Sequence, residues 1–275
     1  MTDDSYPLIA SRQNPKIKQI VRLRDRRDRD REGLFLVEGY RELLRAHQGG
    51  QEICSLFICP ELFLGANEAE LISKFAEKTS VYCCSPEVFE KISYRDRPDG
   101  LVAIARQQRK KLSALGTWME TVDSPPFLVV AEGIEKPGNL GTILRSCDAA
   151  GVDALILCDA CTDVFNPNVV RASVGTLFTV PIFEATTPEA IAWLKKRGVS
   201  LLAATPHATE VYTEVDVTGP VALAVGTEQL GLSEAWMKQS ELQVRIPMLG
   251  VADSLNVATA TTLLLYEVVR QRCQG

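Results

Sequence analysis

Histidine is nearly absent: His47 and His207 are the only two in 275 residues, and neither lies in a motif. A hydrolase built on an imidazole base therefore finds no support. Cys158-Asp-Ala-Cys161 has the spacing of a metal-binding pair, but no second pair completes four ligands, so no metal is expected. No G-x-G-x-x-G follows the first strand of the C-terminal half, and no G-x-x-x-x-G-K-S/T occurs anywhere. A dinucleotide oxidoreductase or a P-loop NTPase would thus lack its phosphate-cradling glycines. No apolar run approaches the roughly 20 residues that span a bilayer. The opening Met1-Thr-Asp-Asp-Ser-Tyr-Pro-Leu has neither the basic end nor the apolar core of a signal peptide, so no membrane role is expected. Positive charge is not in excess either. The net charge of −5 argues mildly against a nucleic-acid partner.

What is present is enough apolar material, 46% of residues, for one large core or two modest ones. The eight cysteines do not make a secreted scaffold of so long and well patterned a chain. Cys54, Cys147 and Cys158 sit in apolar stretches and read as small buried hydrophobes, which points to a reducing, cytoplasmic location. Charge is unevenly spread. Lys16, Lys18, Arg22, Arg24, Arg26, Arg27 and Arg29 lie between Arg12 and Arg31, opposed only by Asp25, Asp28 and Asp30. This basic arm can be a solvated helix face with Arg/Asp pairs at helical spacing, or a segment that contacts phosphates.

Two domains are expected, residues 1–106 and 125–275, joined by a linker over 107–124 that holds Arg109, Lys110 and Lys111 and a short helix around Leu112–Glu120. In the first, a helix is expected over Gln13–Leu23, a strand over Leu34–Gly39, a helix from Tyr40 and a helix around Ala69–Lys78. Strands are also expected at Leu56–Cys59, Val81–Cys84 and Gly100–Ala105. Pro125-Pro126 opens the second. Its strands are expected at Phe127–Glu132, Ala154–Cys158, Phe178–Phe183, Val199–Ala204, Val221–Val225 and Leu242–Pro247. Helices are expected at Leu140–Ala150 with Asn139 as N-cap, after Asn166-Pro167, at Pro188–Lys196, after Ser233 and at Ser254–Arg272. Such alternation predicts an α/β fold with a mostly parallel sheet covered on both faces.

Three segments put polar or glycine residues at strand ends, where an α/β sheet gathers its ligand. They are Asn139-Leu-Gly-Thr-Ile-Leu-Arg145, Gly226-Thr-Glu-Gln-Leu-Gly-Leu232, and Ile246-Pro-Met248 running into Ser254-Leu-Asn-Val-Ala258. Taken singly, each has a plain structural reading: an N-cap with an exposed helix arginine, a glycine turn, and a pair of capping residues. A buried glutamate within the second segment is harder to explain by turning alone. Apolar residues and backbone amides in the third suit an adenine ring. Arg171-Ala-Ser-Val-Gly175 adds an arginine and a serine able to hold a phosphate.

In that order and spacing the three segments resemble the signature motifs of the SpoU (TrmH-like) RNA 2'-O-ribose methyltransferases. The resemblance implies a C-terminal domain with a deep trefoil knot that binds S-adenosylmethionine. It also implies a smaller N-terminal α/β domain, L30e-like, that binds structured RNA, and a homodimer. It places Asn139, Arg145, Glu228, Ser254 and Asn256 at the catalytic site. It places Thr205, Gly226, Glu228, Ile246, Met248, Ser254, Leu255, Asn256 and Ala258 at the cofactor. Lys16, Lys18, Arg22, Arg145 and Arg171 are the candidate RNA contacts. Arg145, whose guanidinium does not readily lose a proton, would anchor an RNA phosphate and stabilise developing oxyanion charge, with that phosphate or Glu228 as proton acceptor. Ribosomal RNA is favoured as substrate. The alternatives are transfer RNA or a non-catalytic RNA-binding or ribosome-assembly protein of the same fold.

Overall fold

The computed structural model of the protein describes residues 6–119 and 124–274. Contacts divide the chain into two compact units, Met1–Gln108 with Asp163–Thr179, and Arg109–Thr162 with Val180–Gly275. The units do not simply follow one another along the chain. The segment with Arg171 belongs with the N-terminal residues. Arg109–Met119, expected in a linker, belongs with the C-terminal ones, and Glu120 and the rest of that linker up to residue 123 lie outside the described residues.

The first unit is a mixed five-stranded sheet in the order β1-β4-β3-β5-β2: β1 (Leu8–Ile9), β2 (Leu34–Glu38), β3 (Ile53–Ile58), β4 (Ser80–Cys84) and β5 (Leu101–Arg106). β4 runs parallel to β1 and β3, whereas β5 is antiparallel to β2 and β3. Helices α1 (Pro15–Arg22) and α5 (Pro86–Ile92) bury Ile17, Ile20, Val88, Phe89 and Ile92 against Leu36, Phe57, Val102 and Ile104 of the sheet. The unit also holds α2 (Arg26–Glu32), α3 (Tyr40–Gln48), α4 (Glu68–Ala76) and, from the later segment, α8 (Pro167–Ser173). Aromatic packing draws that segment in: Phe165 and Phe178 lie 4.7 and 6.2 Å, centroid to centroid, from Phe35. Phe178, expected to begin a strand, instead ends a 3-10 turn over Thr176–Phe178, and the strand starts later.

The second unit is a seven-stranded sheet in the order β10-β12-β9-β11-β6-β7-β8, and every pair is parallel. Its strands are β6 (Phe127–Glu132), β7 (Ala154–Cys158), β8 (Ile182–Ala185), β9 (Ser200–Ala204), β10 (Glu210–Val211), β11 (Val221–Val225) and β12 (Leu242–Arg245). β6, β7 and β11 are buried at every residue, as parallel strands covered on both faces must be. Leu128, Val130, Ala222 and Ala224 share a core with Ala190 and Leu194 of α9 (Thr187–Lys196), Trp236 of α10 (Glu234–Gln239), and Leu112 and Leu115 of α6 (Leu112–Met119). Helices α7 (Pro137–Ala150) and α11 (Val257–Gln274) pack on each other, α7 also against β7 and α11 against β11. β6, β7 and β8 progress one way, while β9 lies on the other side with β11 between it and β6. Such a reversal leaves a crevice at the carboxyl ends of the strands. No described helix is long and apolar enough to cross a membrane.

Candidate active site

The segments that follow β9, β11 and β12 enclose a cleft of about 560 Å³, within the range of small-molecule sites, about 300–1,000 Å³. Gly226, Leu232, Met237, Val244 and Leu264 give it apolar walls, and Thr205, Glu228, Ser254 and Asn256 line it with polar groups. An added Cβ on Gly226 would lie 2.2 Å from the backbone of Gly231, so only glycine allows the chain to fold back so closely.

Hydrogen bonds tie the three sequence segments together beside this cleft. α7 begins at Pro137 with Lys136 as N-cap, so Asn139 lies inside the first turn and is not the expected cap. Its side chain instead bridges. Nδ2 donates to Glu228 Oε1 at 2.6 Å, and Oδ1 accepts from Asn256 Nδ2 at 3.0 Å. Asn256 Oδ1 in turn accepts the N–H of Ala258 at 3.0 Å, which makes Asn256, not Ser254, the residue that starts α11. About two turns further on, Ser146 of α7 and Thr262 of α11 share a hydrogen bond of 2.6 Å.

Glu228, expected to be buried, is half-buried. Burial works to raise its pKa, but the hydrogen bond from Asn139 and the backbone N–H groups of Glu135 and Lys136, each at 3.4 Å, outweigh it and hold the carboxyl below its usual range. The order this carboxylate imposes is complete above the unperturbed value near about 4.3 and is lost as pH falls through the lowered folded value. Such a group is a hydrogen-bond acceptor at neutral pH and a weak proton acceptor.

A second carboxylate, Glu132, ends β6 and is only 6% exposed. Oε1 accepts from the Thr187 and Ser233 hydroxyls at 2.8 and 2.7 Å, and Oε2 accepts the Ser233 N–H at 2.7 Å. Trp236 Nε1 reaches the same Thr187 hydroxyl at 3.3 Å. These contacts fix the far end of the Gly226–Leu232 loop. Sequence reading missed this role, because a glutamate at a strand end carries no sign of which hydroxyls fold onto it.

Ile246, Met248 and Leu255 join Thr205, Gly226, Glu228, Ser254 and Asn256 around the cleft, whereas Ala258 is buried on α11 and does not line it. Pro206, His207 and Asp253 do line it and went unnoticed, although each adjoins a residue expected there. Arg145 is exposed on α7 and makes no side-chain hydrogen bond or ion pair among the described residues; it does not join the Glu228–Asn139–Asn256 chain. Lys16, Lys18, Arg22 and Arg171 belong to the first unit and are exposed. Among the described residues no cluster of three potential metal ligands occurs.

A parallel α/β sheet with a cleft at its carboxyl ends, rimmed by an asparagine–glutamate–asparagine chain, defines a ligand-binding α/β domain. Residues 126–266 match the SpoU rRNA methylase family, and residues 14–103 match an MRM3-like substrate-binding domain. The chain is 32% identical over 260 residues to a 23S rRNA (uridine(2479)-2'-O)-methyltransferase of Streptomyces viridochromogenes, covering 92% of this chain and 88% of the relative. A crystal structure of an RNA 2'-O ribose methyltransferase superimposes with a TM-score of 0.83 at 41% identity, covering 97% of this chain and 99% of the other. An AdoMet-bound rRNA methyltransferase from Sinorhizobium meliloti gives 0.85 at 32% identity, with 96% and 98% covered. The chain belongs to the SpoU rRNA methylase family. It is an RNA methyltransferase whose methyl donor is S-adenosylmethionine.

The residues present fit that donor. The cleft has the volume, apolar lining from Leu232, Ile246 and Met248 that suits an adenine ring, and polar groups among its lining residues.

Proposed function

We propose that the protein methylates a ribose 2'-hydroxyl of ribosomal RNA, with 23S RNA as the substrate class. The observation that carries this reading is the hydrogen-bonded chain Glu228–Asn139–Asn256, which gathers three distant motifs beside one cleft. Relatives named for 2'-O-methylation of 23S RNA support the substrate over transfer RNA. Ribosomal RNA as substrate implies action in the cytoplasm. Residues up to about 106 act as an L30e-like RNA-binding domain, aided by Asp163–Thr179, and residues 125–275 form the catalytic domain with its C-terminal trefoil knot. A homodimer is part of this reading. Leu249, Val251, Leu263 and Tyr266 leave apolar surface exposed on the last loop and on α11, which supports a second copy as its cover.

The backbone at Gly226, with Thr205, Ile246, Met248, Ser254 and Leu255, would hold the donor. S-adenosylmethionine supplies an electrophilic methyl group on a sulfonium. Asn139 and Asn256 hold the rim in place, and Glu228 orients Asn139. As the ribose oxygen takes the methyl group, the proton of the 2'-hydroxyl passes to Glu228, a carboxylate at neutral pH, or to an RNA phosphate. Arg145, free of protein partners, anchors that phosphate and stabilises the oxyanion as it forms. Arg145→Lys is expected to lower kcat by about 100-fold with donor affinity kept, because a lysine offers no bidentate fork. Single-turnover kinetics beside calorimetric donor binding would check it, and near-normal turnover would remove Arg145 from this role.

The function is tested by transferring labelled methyl from S-adenosylmethionine to protein-free ribosomal and transfer RNA and analysing the nucleosides. A 2'-O-methylnucleoside confined to ribosomal RNA is expected. Label confined to transfer RNA would replace the substrate, and donor binding without transfer to any RNA would point to the non-catalytic alternative.

A further inference from the structure

The basic arm that dominates the sequence is largely engaged within the protein. Lys16 lies 4.6 Å over the Tyr82 ring, Arg24 donates to the carbonyls of Lys91 and Ser93, and Arg29 is buried against Asp163. Arg22, Arg26 and Arg31 face Glu32, Asp30 and Asp28. Lys18 and Arg27 are the arm's exposed cations without an ion pair among the described residues, and further unpaired cations of the first unit gather elsewhere.

A cleft of about 880 Å³ opens where the start of α3, the Leu64–Glu68 turn, the Arg95–Asp99 loop and the end of α8 meet. Arg41, Arg97 and Arg171 line it from three different elements, all exposed, and none has a side-chain hydrogen bond or ion pair among the described residues. The carboxylates around them are mostly occupied. Glu42 pairs with Arg95, Glu68 accepts the Gly65 N–H at 2.8 Å, and Asp99 accepts the Tyr40 N–H at 2.8 Å. Asp96 is exposed and without such a partner, which leaves three unpaired guanidinium groups against one carboxylate. In formal charge Arg41, Arg95, Arg97 and Arg171 balance Glu42, Glu68, Asp96 and Asp99, but Glu42, Glu68 and Asp99 are buried, so the groups exposed at the cleft surface are three guanidinium groups and one carboxylate.

From this geometry we infer that the cleft binds the phosphodiester backbone of the substrate RNA, and that Arg41, Arg97 and Arg171, rather than the N-terminal arm, supply most of the first unit's phosphate contacts. The inference rests on the proposed RNA substrate and deepens it. Guanidinium groups suit phosphate because each presents two parallel donors to two oxygens. Tyr40 lies in the same wall and offers a ring face for an unpaired base. Arg171 explains its own place in the chain. Its sequence neighbours belong to the catalytic half, yet α8 packs into the first unit and carries the arginine to this cleft.

The test uses the full chain and protein-free 23S RNA, with methyl-transfer kinetics and filter binding over a salt series. The triple variant R41A/R97A/R171A is expected to raise KM for RNA at least about tenfold and to lower the log–log salt slope by about 2, because three phosphate contacts no longer release counterions. Calorimetric affinity for S-adenosylmethionine should not move. R27A/K78A/K196A removes the same charge from exposed lysines and an arginine elsewhere and should leave the RNA slope nearly intact. Equal effects of both triples would reduce the cleft to a share of net charge and overturn the inference, as would an unchanged KM and slope in the first. Wild-type protein that binds donor but neither binds nor methylates RNA would instead defeat the proposed function, and the inference with it.

Discussion

Gly226→Ala is expected to abolish methyl transfer and to weaken S-adenosylmethionine binding by about 100-fold or more, while both units stay folded. The added methyl would lie 2.2 Å from the carbonyl carbon and oxygen of Gly231 and 2.3 Å from the amide nitrogen of Leu232. Those are backbone atoms, which cannot swing aside as a side-chain tip can. They are also pinned. Thr227 and Gly231 exchange N–H···O hydrogen bonds of 2.9 and 3.1 Å, and Glu132 holds Ser233 just beyond. The loop must therefore open, and Glu228 moves away from Asn139. A misplacement of about 1 Å at such a site costs on the order of 100-fold. Titration calorimetry with the donor and kcat/KM with RNA would read the effect, and far-ultraviolet circular dichroism would confirm the fold. Gly231 offers the contrast. Its φ of +71° favours glycine, but an added Cβ there meets nothing within 4 Å. Gly231→Asn, a residue that tolerates the left-handed region, should keep most of the donor affinity. Similar affinities for the two variants would mean that the close approach at Gly226 does not shape the cleft.

The catalytic unit was legible because buried parallel strands are contiguous apolar runs. Val221–Val225 and Phe127–Glu132 stand out by composition alone, and the polar residues that follow them mark the carboxyl ends. What escaped was whatever lacks an apolar rhythm. α2 reads RRDRDRE and is made a helix by the Asp25 cap and the Gly33 stop; α5 has only seven residues, with its Val88 and Phe89 buried; β10 has two residues. Helix starts were read late at Asn139 and early at Ser254, because an asparagine or serine near a boundary looks like a cap whichever way its side chain points. Pro137 was the better mark of the first start, since proline fits the first helical turn. The folding of Asp163–Thr179 into the first unit was hidden for a different reason. Besides the packing of Phe165 and Phe178 on Phe35, it depends on two charged side chains, and a charged residue is read as exposed until its partner is seen.

Those two residues carry the second large effect. Arg29 and Asp163 have side chains 1% and 2% exposed and meet at 2.7 Å. All three guanidinium nitrogens donate: Nε and Nη2 to Asp163 Oδ2 at 2.9 and 2.7 Å, and Nη1 to the carbonyls of Leu23 and Arg24 at 3.1 and 2.7 Å. Asp163 Oδ1 accepts the Phe165 N–H at 3.0 Å. Removing one member leaves the other buried without its opposite charge, which costs about 3–5 kcal/mol. Arg29→Ala and Asp163→Ala should each destabilise the first unit by that amount in urea unfolding. Arg29→Lys should recover little, because one ammonium cannot serve a carboxylate and two carbonyls at the fixed angles of the fork. The double variant R29A/D163A removes both charges together and should lose less than the sum of the single losses, giving a coupling of several kcal/mol. Additive losses, or an Arg29→Ala cost within about 1 kcal/mol, would show that solvent reaches the pair and that the pair is not the lock. The link to function is direct. Asp163 heads the segment that carries Arg171, so in Arg29→Ala at temperatures where the first unit is still folded, KM for RNA should rise while affinity for S-adenosylmethionine in the second unit holds.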